Sequence, residues 1–217
     1  MPRWNHLGTK LVYSFVSNAH EPTARQQLQL FDVSTGDDRP LTSPHDPNKM
    51  MEFPTGWTPD GRQVIVVSGD AGGPSAIGLF PIDRAPASER SAPIITSSAD
   101  AAISVAVMSP DGRWIAFRAR RNMAGPGRIA VVSAKGGDPS TWIFVTAGDY
   151  PADKPVWSDD GAILYFLSLQ GPATNVWGTR FDSVRGAAVG EPVGGGRLVV
   201  PVVRPKGGLW LLERPNR

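Results

Sequence analysis

The stretch MSPDGRWIAFRAR, residues 108–120, decides the fold. It opens on a tight-turn signal and runs at once into an alternating apolar segment. Pro110 presets φ for the first central position of the turn, Asp111 suits the second, and Gly112 takes the positive φ that follows. That is the chemistry of a tight hairpin with a bulge. Beyond it, Trp114, Ala116 and Arg118 alternate with Ile115, Phe117 and Ala119, which is the period of a strand.

The same phrase recurs along the chain. WTPDGRQVIVVS occupies 57–68, WSDDGAILYFLS 157–168, and a worn version, WNHLGTKLVYSF, 4–15. The phrases align on Gly8, Gly61, Gly112 and Gly161, spaced 53, 51 and 49 residues apart. A near-constant period of this size is the mark of a repeat architecture. Val64–Val67 and Ile163–Leu167 are continuously apolar, as strands buried on both faces are. A second apolar run follows each loop: LQLFDV (28–33), AIGLFPID (76–83), RIAVVSA (128–134) and NVWGTRF (175–181). A short third segment closes each unit: PLT (40–42), PIIT (93–96) and WIFVT (142–146), with the weaker GEPVGGG in the fourth.

Four antiparallel strands per unit, with no helical periodicity, read as the blade of a β-propeller. The expected fold is therefore all-β, a propeller of four-stranded antiparallel blades in a single domain, 1–217. The units cover about 2–46, 54–100, 105–149 and 154–195, and the tail LVVPVV (198–203) plus GLWLLER (208–214) reads as part of a fifth, 197–214.

Composition agrees. With 41% hydrophobic residues, 19% charged, 24 glycines and 21 prolines, the chain suits many short strands joined by turns and argues against disorder. A net charge of +2 is too small to imply nucleic acid, and the basic cluster Arg118, Arg120, Arg121 and Arg128 has no aromatic ladder interleaved with it. No nucleic-acid partner is expected. The lack of cysteine excludes disulfides, thiol catalysis and thiolate metal sites. MPRWNHLGTK has no apolar signal region and no run approaches transmembrane length, so neither a signal peptide nor membrane insertion is expected.

The repeats W-T-P-D-G, M-S-P-D-G and W-S-D-D-G, each with its apolar run, resemble the TolB-type, WD-like propeller repeat over most of residues 2–214. NVWGTRFDSVRGAAVGEPV and GLWLLER are also similar to the last blades of propellers attached to bacterial regulators and kinases. The resemblance implies a ring of six or more blades of which this chain carries the C-terminal portion, and a periplasmic or extracytoplasmic setting. A closed four-bladed ring, or closure between molecules through open propeller edges, stays open as an alternative. The first unit departs from the pattern, with Asn5-His6-Leu7 in place of Ser-Pro-Asp.

In such a meander the turns between first and second strands share one face, and the second-to-third loops and inter-unit links share the other. The repeated turns, with Gly8, Pro59, Asp60, Gly61, Pro110, Asp111, Gly112, Asp160 and Gly161, are read as structural. The variable loops on the opposite face are the expected binding surface. They carry His20, His45, Asp46, Asp100, Arg120, Arg121, Asp149 and Tyr150. A plainer role is open to Asp46, Asp100 and Asp149, which follow Thr42, Thr96 and Thr146 by three or four residues and suit the capping of tight links.

Catalytic constellations are scarce. His6, His20 and His45 are not at zinc-site spacing. No G-x-S-x-G elbow occurs, and GDAGGPSAIG and GAAVGEPVGGG lack the Gly-Lys-Ser/Thr ending of a phosphate loop. Asp37-Asp38 and Asp159-Asp160 are adjacent pairs whose side chains diverge. No cofactor or metal is expected. Trp4, Trp57 and Trp157, with Met108 in the same slot, are read as packing between blades. The expected function is a non-enzymatic scaffold binding a protein or peptide through the loop-rich face, in an envelope complex or as the sensor part of a regulator. The rival is the propeller domain of an enzyme, gating a peptidase or housing a sugar or lactone site in its channel.

Overall fold

The computed structural model describes residues 2–70, 74–83, 93–97, 101–121, 125–169 and 174–194, with Arg121 described by its backbone alone. The expected partial fifth unit, 197–214, lies outside the described residues. Four antiparallel sheets of four strands each follow one another along the chain. The first holds β1 (Arg3–Trp4), β2 (Lys10–Ser17), β3 (Arg25–Asp32) and β4 (Asp38–Pro40). The second holds β5 (Met50–Trp57), β6 (Gln63–Asp70), β7 (Ser75–Pro81) and β8 (Pro93–Thr96). The third holds β9 (Ala101–Met108), β10 (Trp114–Arg121), β11 (Gly127–Ser133) and β12 (Ile143–Phe144). The fourth holds β13 (Ala152–Trp157), β14 (Ile163–Leu169), β15 (Thr174–Asp182) and β16 (Ala187–Gly194). Each sheet is a meander in chain order, the blade of a propeller.

The repeated turns are built alike. Gly8, Gly61, Gly112 and Gly161 all have φ between 68° and 70°, a region that costs any other residue backbone strain. The Ser109 hydroxyl donates to Asp111 Oδ1 at 2.5 Å and accepts the Trp114 N–H at 3.0 Å, while the same carboxylate accepts the Arg113 N–H. Thr58 with Asp60, and Ser158 with Asp160, repeat this geometry. In the worn first unit one residue stands in for two. Asn5 Oδ1 accepts the N–H groups of both Thr9 and Lys10 at 2.9 Å, so the turn survives without Ser or Asp.

The first strands β1, β5, β9 and β13 touch in succession and line the axis, and β5, β9 and β13 each also receive strands of the preceding sheet. The alternation of the opening stretch explains how. Ile115, Phe117 and Ala119 join Ile65, Val67, Ile77 and Ile95 in the cluster between the second and third blades. Ala116, on the other face of β10, joins Trp157, Leu164, Phe166 and Phe181 of the fourth. Both faces of the strand are core, which is why Ile115, Ala116 and Phe117 are all fully buried. A third cluster, with Val12, Leu28, Val64 and Val66, joins the first two blades.

Two details differ from the sequence expectation. The inner strands begin upstream, at Met50, Ala101 and Ala152, because each crosses a bulge at the same repeat position. The bulged strands of the third and fourth units hold Val105 and Lys154 at φ 51° and 52°, and such a bulge hides the register from a period-two reading. The closing strand of the fourth unit is also the longest of its kind, eight residues through Gly190 and Pro192. An outer strand bonds on one side only, so glycine and proline do not end it.

Candidate functional site

Where the inner strands reach the turns, residues from all four blades line a cavity of about 510 Å³. Its walls are Trp4, Trp57, Val107, Met108, Val156 and Trp157, with Pro59 and Pro110 from the turns and His6 and Asp159 at its polar margin. The tryptophans share one repeat position but not one fate. The Trp57 indole N–H donates to Arg3 O at 3.0 Å, and that of Trp157 to Val107 O at 3.4 Å, each reaching the preceding blade. Trp157 also meets Phe181 edge-on at 5.2 Å and is 8% exposed. These two pack between blades, as expected. Trp4 is 55% exposed and Val156 56%, so the mouth presents uncovered apolar surface.

The carboxylates of the turns beside it are held below the usual carboxylate range. For Asp60 the main cause is the Thr58 hydroxyl, followed by the Arg62 N–H. For Asp111 partial burial pushes upward, but the hydrogen bonds from Ser109 and Arg113 outweigh it. For Asp160 the Ser158 hydroxyl leads, with the Ala162 N–H behind it. All three are spent on their own turns. Their chemistry is structural, with hydrogen bonds favouring the charged form.

The loop-side candidates lie apart along separate segments. His20 is exposed on the turn between β2 and β3, and Asp149 and Tyr150 are exposed on the link into β13. Asp46 caps its own link: its carboxylate accepts the Asn48 N–H at 2.9 Å, and its carbonyl accepts the N–H groups of Lys49 and Met50. Arg120 is half-buried on β10, the Arg121 side chain is outside the described residues, and so is Asp100. The threonines before two of the links act within their blades, with Thr42 Oγ1 accepting from Leu28 N and Thr146 Oγ1 from Ile129 N. In the second blade Ser97, one residue beyond Thr96, plays this part toward Ser75 N.

His45 is the candidate most engaged. Its backbone pairs with Gln26 on both sides, and its ring Nδ1 lies 3.9 Å from Glu52 Oε2. Glu52 is 2% exposed and lines a small cavity of about 80 Å³ with Val66, Ser68 and Phe80. Sequence reasoning missed Glu52. Its signal is visible only once the repeats are aligned: it stands nine residues before Gly61, where Ile103 and Ala152 stand before Gly112 and Gly161. Among the described residues no cluster of three or more His, Asp or Glu side chains is placed to hold a metal ion.

No family model matches the sequence, and no curated protein matches it. Solved structures do resemble it. A TolB-like protein from Agrobacterium tumefaciens superposes with a TM-score of 0.59 at 18% identity, over 89% of this chain and 78% of that one. One of two prolyl endopeptidases gives 0.58 at 11% identity over 87% of this chain, and a dipeptidyl aminopeptidase IV-like protein from Bacteroides ovatus gives 0.57 at 9% over 82%. The chain spans less than a third of either peptidase, 27% and 31%. At such identities the likeness is one of fold. The chain carries an all-β, propeller-type fold of four-stranded antiparallel blades, the architecture it shares with the TolB-like protein and with propeller-type peptidase domains.

Proposed function

We propose that this chain is a non-enzymatic propeller scaffold that binds a segment of another protein, and that the segment seats in the aromatic mouth at the turn side of the axis. The observation that carries this reading is the uncovered apolar surface there. Trp4 and Val156 are each more than half exposed beside Trp57, Met108 and Trp157, in a cavity of about 510 Å³. Isolated surface apolar residues need no explanation, but a concave patch drawn from four blades suits an apolar partner. The propeller domain of an enzyme is the rival reading, and the fold likeness favours neither. The loop-rich face on the side opposite the turns, which carries His20, His45, Asp46, Asp100, Arg120, Arg121, Asp149 and Tyr150, offers a second surface for a protein partner.

A displayed peptide library selected on the whole chain tests this. Peptides rich in aromatic and aliphatic residues should be enriched, and should lose at least about tenfold in affinity, about 1.4 kcal/mol, against Trp4→Asp/Val156→Asp. Failure to enrich any peptide, or enriched peptides indifferent to that pair of substitutions, overturns the proposal. A charge placed instead at Val184, 84% exposed on an outer turn, should change nothing.

A further inference from the structure

Blade faces in this chain follow a rule, and the fourth blade breaks it. On the third strand, at the position paired with the sixth residue after the turn glycine, Leu28, Ile77 and Ile129 each point toward the following blade and are each fully buried. The same position in the fourth blade is Val176, paired with Leu167 as Leu28 is with Ser14, and it is 40% exposed. Four residues past the turn glycine, Val12, Ile65 and Ala116 are buried, whereas Tyr165 is only half-buried. Leu169 (44%) and Val193 (78%) extend this uncovered strip. Among the described residues, no strand of the fourth sheet packs substantially against the first. The outward face of blade four is thus an apolar blade interface with its partner side open.

We infer that residues 198–214 cover this face, as an antiparallel pair of apolar segments standing where the next blade would stand. Three features of the chain favour this occupant. Every other blade face of this kind is covered by the segment that follows it in sequence. The chain leaves β16 at Gly194 and has 23 residues beyond it, including LVVPVV and GLWLLER joined by the four residues RPKG. The connection between β6 and β7, residues 71–74, is of the same length. Pro201 removes one backbone donor, which a segment with a free edge tolerates. Finally, only three residues separate Gly194 from Leu198. So short a tether gives the tail an effective concentration near millimolar, ahead of any second molecule.

The lack of cysteine makes the test clean. A single bimane label is placed at Leu169→Cys in the full chain, and its emission is compared with and without Trp210→Phe. If the tail lies on this face, Trp210 quenches the label and Trp210→Phe brightens it severalfold, equally at all protein concentrations. A second label at Val193→Cys guards against a variant that fails to fold, with far-ultraviolet circular dichroism as the check. Unchanged emission at both labels overturns the inference. So does a response confined to a label at Phe15→Cys on the opposite end of the array, or one that grows with protein concentration, which would assign the face to a second copy of the chain.

Discussion

The side-chain amide of Gln26 brackets the backbone of Glu52. Its Nε2 donates to Glu52 O at 2.8 Å, and its Oε1 accepts the Glu52 N–H at 3.3 Å. One side chain thereby acts as a single residue of strand, joining β3 of the first blade to β5 of the second. Both residues are almost wholly buried. At the equivalent place in the next seam the Ser75 hydroxyl accepts the Ile103 N–H at 2.6 Å. In the third, Gly127 lets the backbone of Ala152 approach so closely that a Cβ would lie 2.9 Å from its carbonyl oxygen. Replacing Gln26 with Leu keeps the volume and removes both bonds, together with the one that Nε2 donates to Ser14 Oγ at 2.6 Å. Buried groups deprived of a partner cost about 1–3 kcal/mol each, so urea denaturation of Gln26→Leu should show an unfolding free energy lowered by at least that much, with a correspondingly lower midpoint. An unaltered midpoint would mean the bracket contributes nothing.

Gly112 isolates backbone strain from crowding. Its φ is +70° and a Cβ there would meet nothing within 4 Å. Gly112→Val should therefore destabilise by about 1–3 kcal/mol through conformation alone, read from thermal or chemical unfolding. An unshifted melting curve would contradict the turn.

Acid should loosen the repeated turns of the second, third and fourth blades and spare that of the first, whose own acid-sensitive group is Asp32 on β3, held low by Lys10 and Ser34. Asp60, Asp111 and Asp160 have folded-state pKa values below their unfolded ones. The stability they contribute is present in full above the ordinary Asp value of about 3.9 and is lost as pH falls through the depressed folded values. The first turn uses neutral Asn5 and is exempt. Melting temperature measured between about pH 6 and pH 2 should fall below about pH 4, and the triple change to Asn should be less stable at neutrality but fall less in acid. Equal acid sensitivity in the two proteins would assign the effect elsewhere.

Phe117 and Phe15 face opposite fates on equivalent strands. Phe117 is fully buried and meets Trp142 edge-on at 4.9 Å, while Phe15 is 45% exposed. Phe117→Ala should cost about 3–5 kcal/mol and Phe15→Ala about 0.5 or less. Paired denaturation curves decide it, and similar losses would mean that Phe15 is covered in solution.

Much of this was legible in the sequence, for a physical reason. A turn that needs positive φ at one position and a hydroxyl or carboxylate at fixed offsets leaves few choices, so SPDG-like phrases announce themselves and the strands after them alternate or run apolar. The four described blades and their strand order followed. Glu52, Gln26 and Ser75 were not legible, because interblade seams bring together residues from different repeats and nothing local marks a side chain that bonds across. The aromatic mouth was half legible. The recurrence of Trp4, Trp57 and Trp157 stood out, yet only packing distinguishes the two that are covered from the one that is not.

Among the described residues the blades pack only on their neighbours, so they form a row with two ends. Blades two and three are clamped from both sides by clusters that include Ile65, Ile115 and Phe117, whereas the first and fourth each have one described clamp. Stability in such arrays accumulates interface by interface. Amide hydrogen exchange should accordingly be slowest in β6 and β10, at the centre of the described blades, and faster in β2 of the first.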